Sequence, residues 1–170
     1  LIAPGVQAKA GADGGDWRRP FLELLLTYRA DIIPYGCTEV SFDGLSHGLV
    51  RKPHGIEYYS RLGGYKEHCR QQAVKTEEIA AGLAAGGYCL AAILGIEHSP
   101  SCAVSYIYSN RGMLKRPGIF IEFLREEPIC GSLPYIGINK RFPRKSLACL
   151  QARLESCREQ LGGKTNDNHI

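Results

Sequence analysis

Tyr88-Cys-Leu-Ala-Ala-Ile-Leu-Gly-Ile96 is a continuously apolar run, flanked by Gly86-Gly87 before it and by Glu97-His98 after it. It is too short to cross a membrane and reads as the central strand of a parallel sheet, buried on both faces. Ahead of it, Tyr65 to Ala85 carries its charges early and sets Ile79, Leu83 and Ala84 on one face before the glycine stop. That is a helix. Behind it, Pro117 to Glu127 reads as a helix with proline near its first turn and Ile119, Phe120, Phe123 and Leu124 inward. Leu133 to Asn139 is a further short apolar strand. Pro143 to Leu161 then spaces Leu147, Leu150, Leu154, Cys157 and Leu161 by threes and fours, a stripe for core packing or a dimer seam.

Upstream, Arg19 to Ala30 places Pro20 at a helix start and Phe21, Leu24, Leu25 and Tyr28 at helical spacing. Asp31-Ile-Ile-Pro-Tyr-Gly36 follows as a short strand, which Pro34 confines to an edge or to the strand's end. Leu1 to Asp16 is glycine-rich and reads as a loop. The alternation predicts a single-domain α/β fold over 1–161, an open, mostly parallel sheet with helices on both faces, Rossmann- or flavodoxin-like in three layers. Residues 162–170 read as a disordered tail.

Composition agrees with one domain: 170 residues, 44% hydrophobic and 22% charged. Such a chain buries enough surface to fold without disulfides or a metal. The net charge of +4 arises from 21 Lys and Arg against 17 Asp and Glu, with a modest cluster at Lys140, Arg141, Arg144 and Lys145. That cluster suits either a weak RNA contact or a solvated helix start. There is no 18-residue apolar run and no leader pattern at the start, so the expected place is the cytoplasm, with no membrane partner.

Seven cysteines, Cys37, Cys69, Cys89, Cys102, Cys130, Cys149 and Cys157, are an odd number without zinc-finger spacing, so reduced thiols are expected. Ligands in open parallel sheets bind outside the carboxyl ends of the strands. Cys37 lies just past the Asp31–Gly36 run and Cys102 just past the Tyr88–Ile96 run, which places two of the seven at one edge. The other five read as buried or helical thiols, with Cys130, in a loop, the best of them for a role. His98 adjoins the second cysteine loop and is placed to hydrogen-bond a substrate. Ser109-Asn-Arg-Gly112 with Arg116 reads either as an anion or carbonyl site or as a plain loop.

Ser99-Pro-Ser-Cys102 after an apolar strand, together with Cys37-Thr-Glu-Val40 and the Gly44-Leu45 that follows, resembles the 2-thiouracil desulfurase family. The resemblance spans roughly residues 1–139. It implies a [4Fe-4S] cluster held by three loop cysteines, with one iron left to take the sulfur of a thiolated small molecule. Cys37 and Cys102 are then the cofactor- and metal-binding ligands. Glu39 and Asp13 are candidate proton-handling carboxylates, and Ser101 is a candidate hydroxyl on the substrate. Asp13 reads equally as a turn residue, and Glu39 as a structural hydrogen-bonding group. Thr38 stands where the family has proline and Ala103 where it has glycine. The first cysteine is absent: Leu1-Ile-Ala-Pro-Gly5 and Ala12-Asp-Gly-Gly15 look like the residues that would follow it, with the first strand missing too. Two other readings remain open: a metal-free sulfurtransferase carrying a persulfide on Cys102, and a non-catalytic assembly module dimerised through the last helix.

Overall fold

The structure, a computed structural model, describes residues 18–44 and 55–164. It is a mixed α/β arrangement built on two parallel strands, β1 (Ile93–Ile96) and β4 (Tyr135–Ile138), paired Ile93 to Tyr135 through Ile96 to Ile138. Helices α1 (Arg19–Tyr28), α2 (Thr38–Asp43), α3 (Ile56–Arg61) and α4 (Tyr65–Ala85) precede β1. An antiparallel hairpin, β2 (Tyr106–Ser109) and β3 (Gly112–Lys115), helix α5 (Ile119–Leu124) and a short 3₁₀ turn at Cys130–Ser132 lie between β1 and β4. Helix α6 (Pro143–Lys164) closes the chain.

Side chains alternate across the two-stranded sheet, as the pleat requires. Leu94, Ile136 and Ile138 join Phe21 and Leu25 of α1 and Leu150 and Leu154 of α6 in one core cluster. Ile93 and Tyr135 belong to the other, with Tyr65, Cys69 and Ala73 of α4 and Ile119, Phe120, Ile121 and Leu124 of α5. The leucine stripe of the last helix is thus spent on the chain's own core at Leu150 and Leu154, while Leu161 remains half exposed.

Several expectations are corrected. Asp31–Gly36 runs on from α1 but pairs with no described strand. Pro34 has no N–H to offer a ladder, and the β1 edge nearest this segment is left open. Among the described residues, only Ile93–Ile96 of Tyr88–Ile96 is strand, and it is paired on one side, with β4. The helix read over Pro117–Glu127 is confined to Ile119–Leu124. Ser109-Asn-Arg-Gly112 is the turn of the β2–β3 hairpin. Buried Ser109 closes it, its hydroxyl donating to the Gly112 carbonyl at 2.7 Å and accepting the Arg111 N–H at 3.2 Å, with Gly112 at φ 113°. Arg116, the cation read beside that stretch, donates to the Glu122 carboxylate at 2.5 Å. Asp13, the expected loop Leu1 to Asp16 and most of the expected tail lie outside the described residues, although the α6 backbone extends to Lys164. No helix among the described residues is long and apolar enough to cross a membrane.

Candidate functional site

Both cysteine loops leave the same end of the fold. Cys37 is the N-cap of α2, its carbonyl accepting the Ser41 N–H at 2.9 Å. Thr38, one residue on, is buried and its hydroxyl shares a hydrogen bond with the Tyr65 hydroxyl at 3.1 Å, which fixes the start of α2 against α4. Phe42 meets the edge of the Tyr65 ring at a centroid distance of 5.3 Å. A proline at position 38 would lack that hydroxyl, so threonine there has a packing reason.

The second loop is a serine-built turn. The Ser99 hydroxyl accepts the N–H groups of Ser101 at 3.3 Å and Cys102 at 3.2 Å, and the Cys102 thiol approaches it at 3.2 Å. Two glycines hold the turn from below. A methyl group on Gly95 of β1 would run into the Cys102 carbonyl, and one on Gly118 would run into the backbone of Ser101. Only glycine allows so close an approach. The loop carbonyls in turn cap α5: Pro100 O accepts the Ile119 N–H at 3.0 Å, Ser101 O the Phe120 N–H at 3.0 Å, and Ala103 O the Gly118 N–H at 2.9 Å. Ala103 is wholly buried beneath them.

Glu39 joins the two loops. Its carboxylate accepts hydrogen bonds from the Ser101 hydroxyl at 2.5 Å, the Ser99 hydroxyl at 3.0 Å and the Tyr59 hydroxyl at 3.4 Å. The side chain of Ser101 is buried, so this contact is shielded from water. Burial and then the nearby Glu39 charge push the Cys102 thiol up to about 11, and the same causes raise Cys37. The Cys37 charge is a further, smaller cause of the raised Cys102 value.

Two groups join the site that sequence reasoning passed over. Tyr35, two residues before Cys37, is held well above its ordinary value by burial, then by the charges of Cys102, Tyr135 and Cys37. Its ring lies 4.8 Å from that of Phe120. Lys140, just past the carboxyl end of β4, is lowered by burial and pulled back up by the charge of Cys102, which draws one member of the basic cluster to the cysteine edge. Adjacency to Cys37 and to a strand end, respectively, was the available signal. His98 is exposed and takes φ 74°, its backbone N–H donating to the Tyr106 carbonyl at 2.8 Å. The loop uses its backbone to join β1 to the hairpin.

Cys37, Glu39, Ser101 and Cys102 are therefore brought together; Asp13 lies outside the described residues. Cys69, Cys130 and Cys157 are buried thiols of the core, Cys89 and Cys149 are exposed, and all seven cysteines are free. The Cys130 thiol is pushed up to about 12 by burial and by Glu77, which leaves it inert. Among the described residues no three His, Cys, Asp or Glu side chains converge so as to hold a metal ion. No family model, curated protein or solved structure matches the chain.

Proposed function

We propose that the Cys37, Glu39, Ser101 and Cys102 cluster is the active centre of a desulfidase that removes sulfur from a thiolated nucleobase or a similar small thio-compound. The observation that carries this reading is the Glu39 carboxylate, bonded by Ser99 and Ser101 of one cysteine loop while standing two residues from the cysteine of the other. The overall change replaces a C=S bond by C=O, with water consumed and hydrogen sulfide released, so one group must handle protons and others must hold sulfur.

Thiolates are the ligands that soft metals and iron–sulfur clusters select. Cys37 and Cys102 suit that role, but the described residues supply two such ligands and not a complete set. An iron–sulfur cluster, where bound, would supply an iron to polarise the C=S bond. The chain's own part is defined by its hydrogen bonds. Ser101 directs its hydroxyl to Glu39 and can pass a proton between that carboxylate and a substrate atom above the loop. Ser99 keeps the thiol of Cys102 fixed in place through the turn, and Tyr35 and Phe120 close the apolar side. The same reading sets the two-stranded sheet within a wider doubly wound sheet of three layers, in a reducing cytoplasmic setting where the thiols stay free.

Iron and acid-labile sulfide per chain after anaerobic reconstitution, followed by sulfide release from 2-thiouracil, test this. About four of each per chain, lost in Cys37→Ala and in Cys102→Ala, is the expected result. A chain that takes up neither, and releases no sulfide, overturns it. The persulfide reading is disfavoured by the surroundings of Cys102. A half-buried thiol beside a carboxylate, raised to about 11, holds its proton at neutral pH and is a poor attacking group.

A further inference from the structure

We propose that Cys89 and Cys157 are the two halves of a disulfide that forms when the chain meets a peroxide, stapling α6 to the segment that enters β1. The course of α6 brings them together. Its first turn lies at the carboxyl end of β4, where the Ser146 hydroxyl donates to the Gly137 carbonyl at 2.7 Å. Two turns on, the Arg153 guanidinium donates to the Ala91 carbonyl at 2.9 Å, just before β1 begins. Because β1 and β4 are parallel, α6 runs back along the sheet towards the amino ends of both strands. Cys157 stands four residues past Arg153, a rise of about 6 Å along one helical face. Cys89 stands two residues before Ala91, at most about 7 Å of chain. From one hydrogen bond, both segments lead the same way to a cysteine.

Both thiols line one cavity of about 440 Å³ with apolar walls, at the opposite end of β1 from Cys102. Cys157 is buried, and its value is pushed up to about 11 by burial first and then by Cys89, through a thiol–thiol hydrogen bond and through charge. Cys89 is exposed. Cys149, exposed on the same helix, comes one turn before Arg153 and so lies on the far side of that anchor from Cys89. An exposed thiol with a second one held beside it is the arrangement in which a peroxide reaches the first and the second resolves it.

The chemistry needs only the two thiols and the oxidant. Hydrogen peroxide gives one oxygen to the Cys89 sulfur as its O–O bond breaks, leaving a sulfenic acid and one water. The Cys157 sulfur then displaces the hydroxyl, which departs with the Cys157 proton as a second water, and the S–S bond forms. The two thiols give up two electrons and the peroxide accepts them. The raised value of Cys157 makes this second step the slow one, since the thiolate is the attacking form. The bond closes a loop that holds β1, the hairpin, α5 and β4, and so long a loop restricts the unfolded chain strongly.

Peptide mapping of the reduced 170-residue chain after a pulse of hydrogen peroxide tests the inference. Cleavage after glutamate separates Cys89, in 79–97, from Cys102, and Cys157, in 156–159, from Cys149. These two fragments should appear joined, about two mass units lighter than their sum, and dithiothreitol should part them. The oxidised chain should melt several degrees higher than the reduced one. Cys89→Ser, at the exposed position, should lose both the link and the gain. Cys89 carried on to sulfinic acid without a link, Cys89 joined to Cys149 or to a second chain, or the same yield of link when peroxide is added in urea overturns the proposal. So does an oxidised chain that melts no higher than the reduced one.

Discussion

The Ser101 hydroxyl donates to the Glu39 carboxylate at 2.5 Å, closing a contact between loops 62 positions apart in the chain. Because Ser101 is buried, the bond is a charge-assisted one shielded from water, worth about 1.5–3 kcal/mol. Ser101→Ala should lower unfolding free energy by that amount in urea titration and should leave the slope unchanged. A loss below about 0.5 kcal/mol would mean that the carboxylate finds equal solvation elsewhere.

Two glycines should respond in opposite directions to the same substitution. A methyl group on Gly95 meets the Cys102 carbonyl and the Val104 side chain, so Gly95→Ala must displace the cysteine turn. The expected cost is about 1–3 kcal/mol, accompanied by faster alkylation of Cys102. Gly82, inside α4, has nothing within 4 Å of the added atom, and Gly82→Ala should stabilise the chain by about 0.5–1 kcal/mol. Thermal melts of both variants decide it. Equal effects would remove the steric account of Gly95.

What could be read beforehand follows from which forces are local. Helices α1 and α6 were legible because a repeated apolar spacing marks the buried face of each; α4 was legible as a helix by its glycine stop, but Ile79 and Ala84 of the face read from its sequence are exposed, and Tyr65, Cys69, Ala73 and Ala80 are buried instead. Cys37 and Cys102 were legible as a pair because each follows directly on an apolar run, and the two runs end at the same edge, where Glu39 is bonded by Ser99 and Ser101. The β2–β3 hairpin was not, because its exposed Tyr106, Tyr108, Met113 and Leu114 give no clean alternation and its turn is closed by a serine hydroxyl instead of by a marked turn pair. Strand pairing at 31–36 failed for a different reason: apolar composition says that a segment is buried, and only a neighbour in space supplies its ladder. Lys140 and Tyr35 were missed as site members since their approach to Cys102 is set by tertiary packing.

Removing the Glu39 charge should expose its effect on the neighbouring thiol. Burial is the first cause of the raised Cys102 value and Glu39 the second, so Glu39→Gln should bring the thiol down from about 11 without restoring an ordinary thiol. In metal-free protein, the alkylation rate of Cys102 with iodoacetamide at pH 8 should rise several-fold in this variant. An unchanged rate would assign the whole shift to burial.

Glu77 carries the pH dependence that stability measurements should find. Its carboxylate, on α4, accepts the N–H groups of Ile129 and Cys130 at 2.8 Å each, tying that helix to the turn before β4. Burial opposes its ionisation, but those two N–H bonds outweigh it and hold Glu77 below the usual carboxylate value of 4.5. A carboxylate with a depressed folded value stabilises the fold above its unfolded value and loses that contribution as pH falls through the folded one. Glu77→Gln should therefore cost about 1–2 kcal/mol at pH 7. The difference from the unaltered chain should shrink as the pH is lowered below 4.5. Urea unfolding of both proteins from pH 7 to pH 3 measures it. A gap that stays constant with pH would show that the amide replaces the carboxylate at this turn as well in one protonation state as in the other.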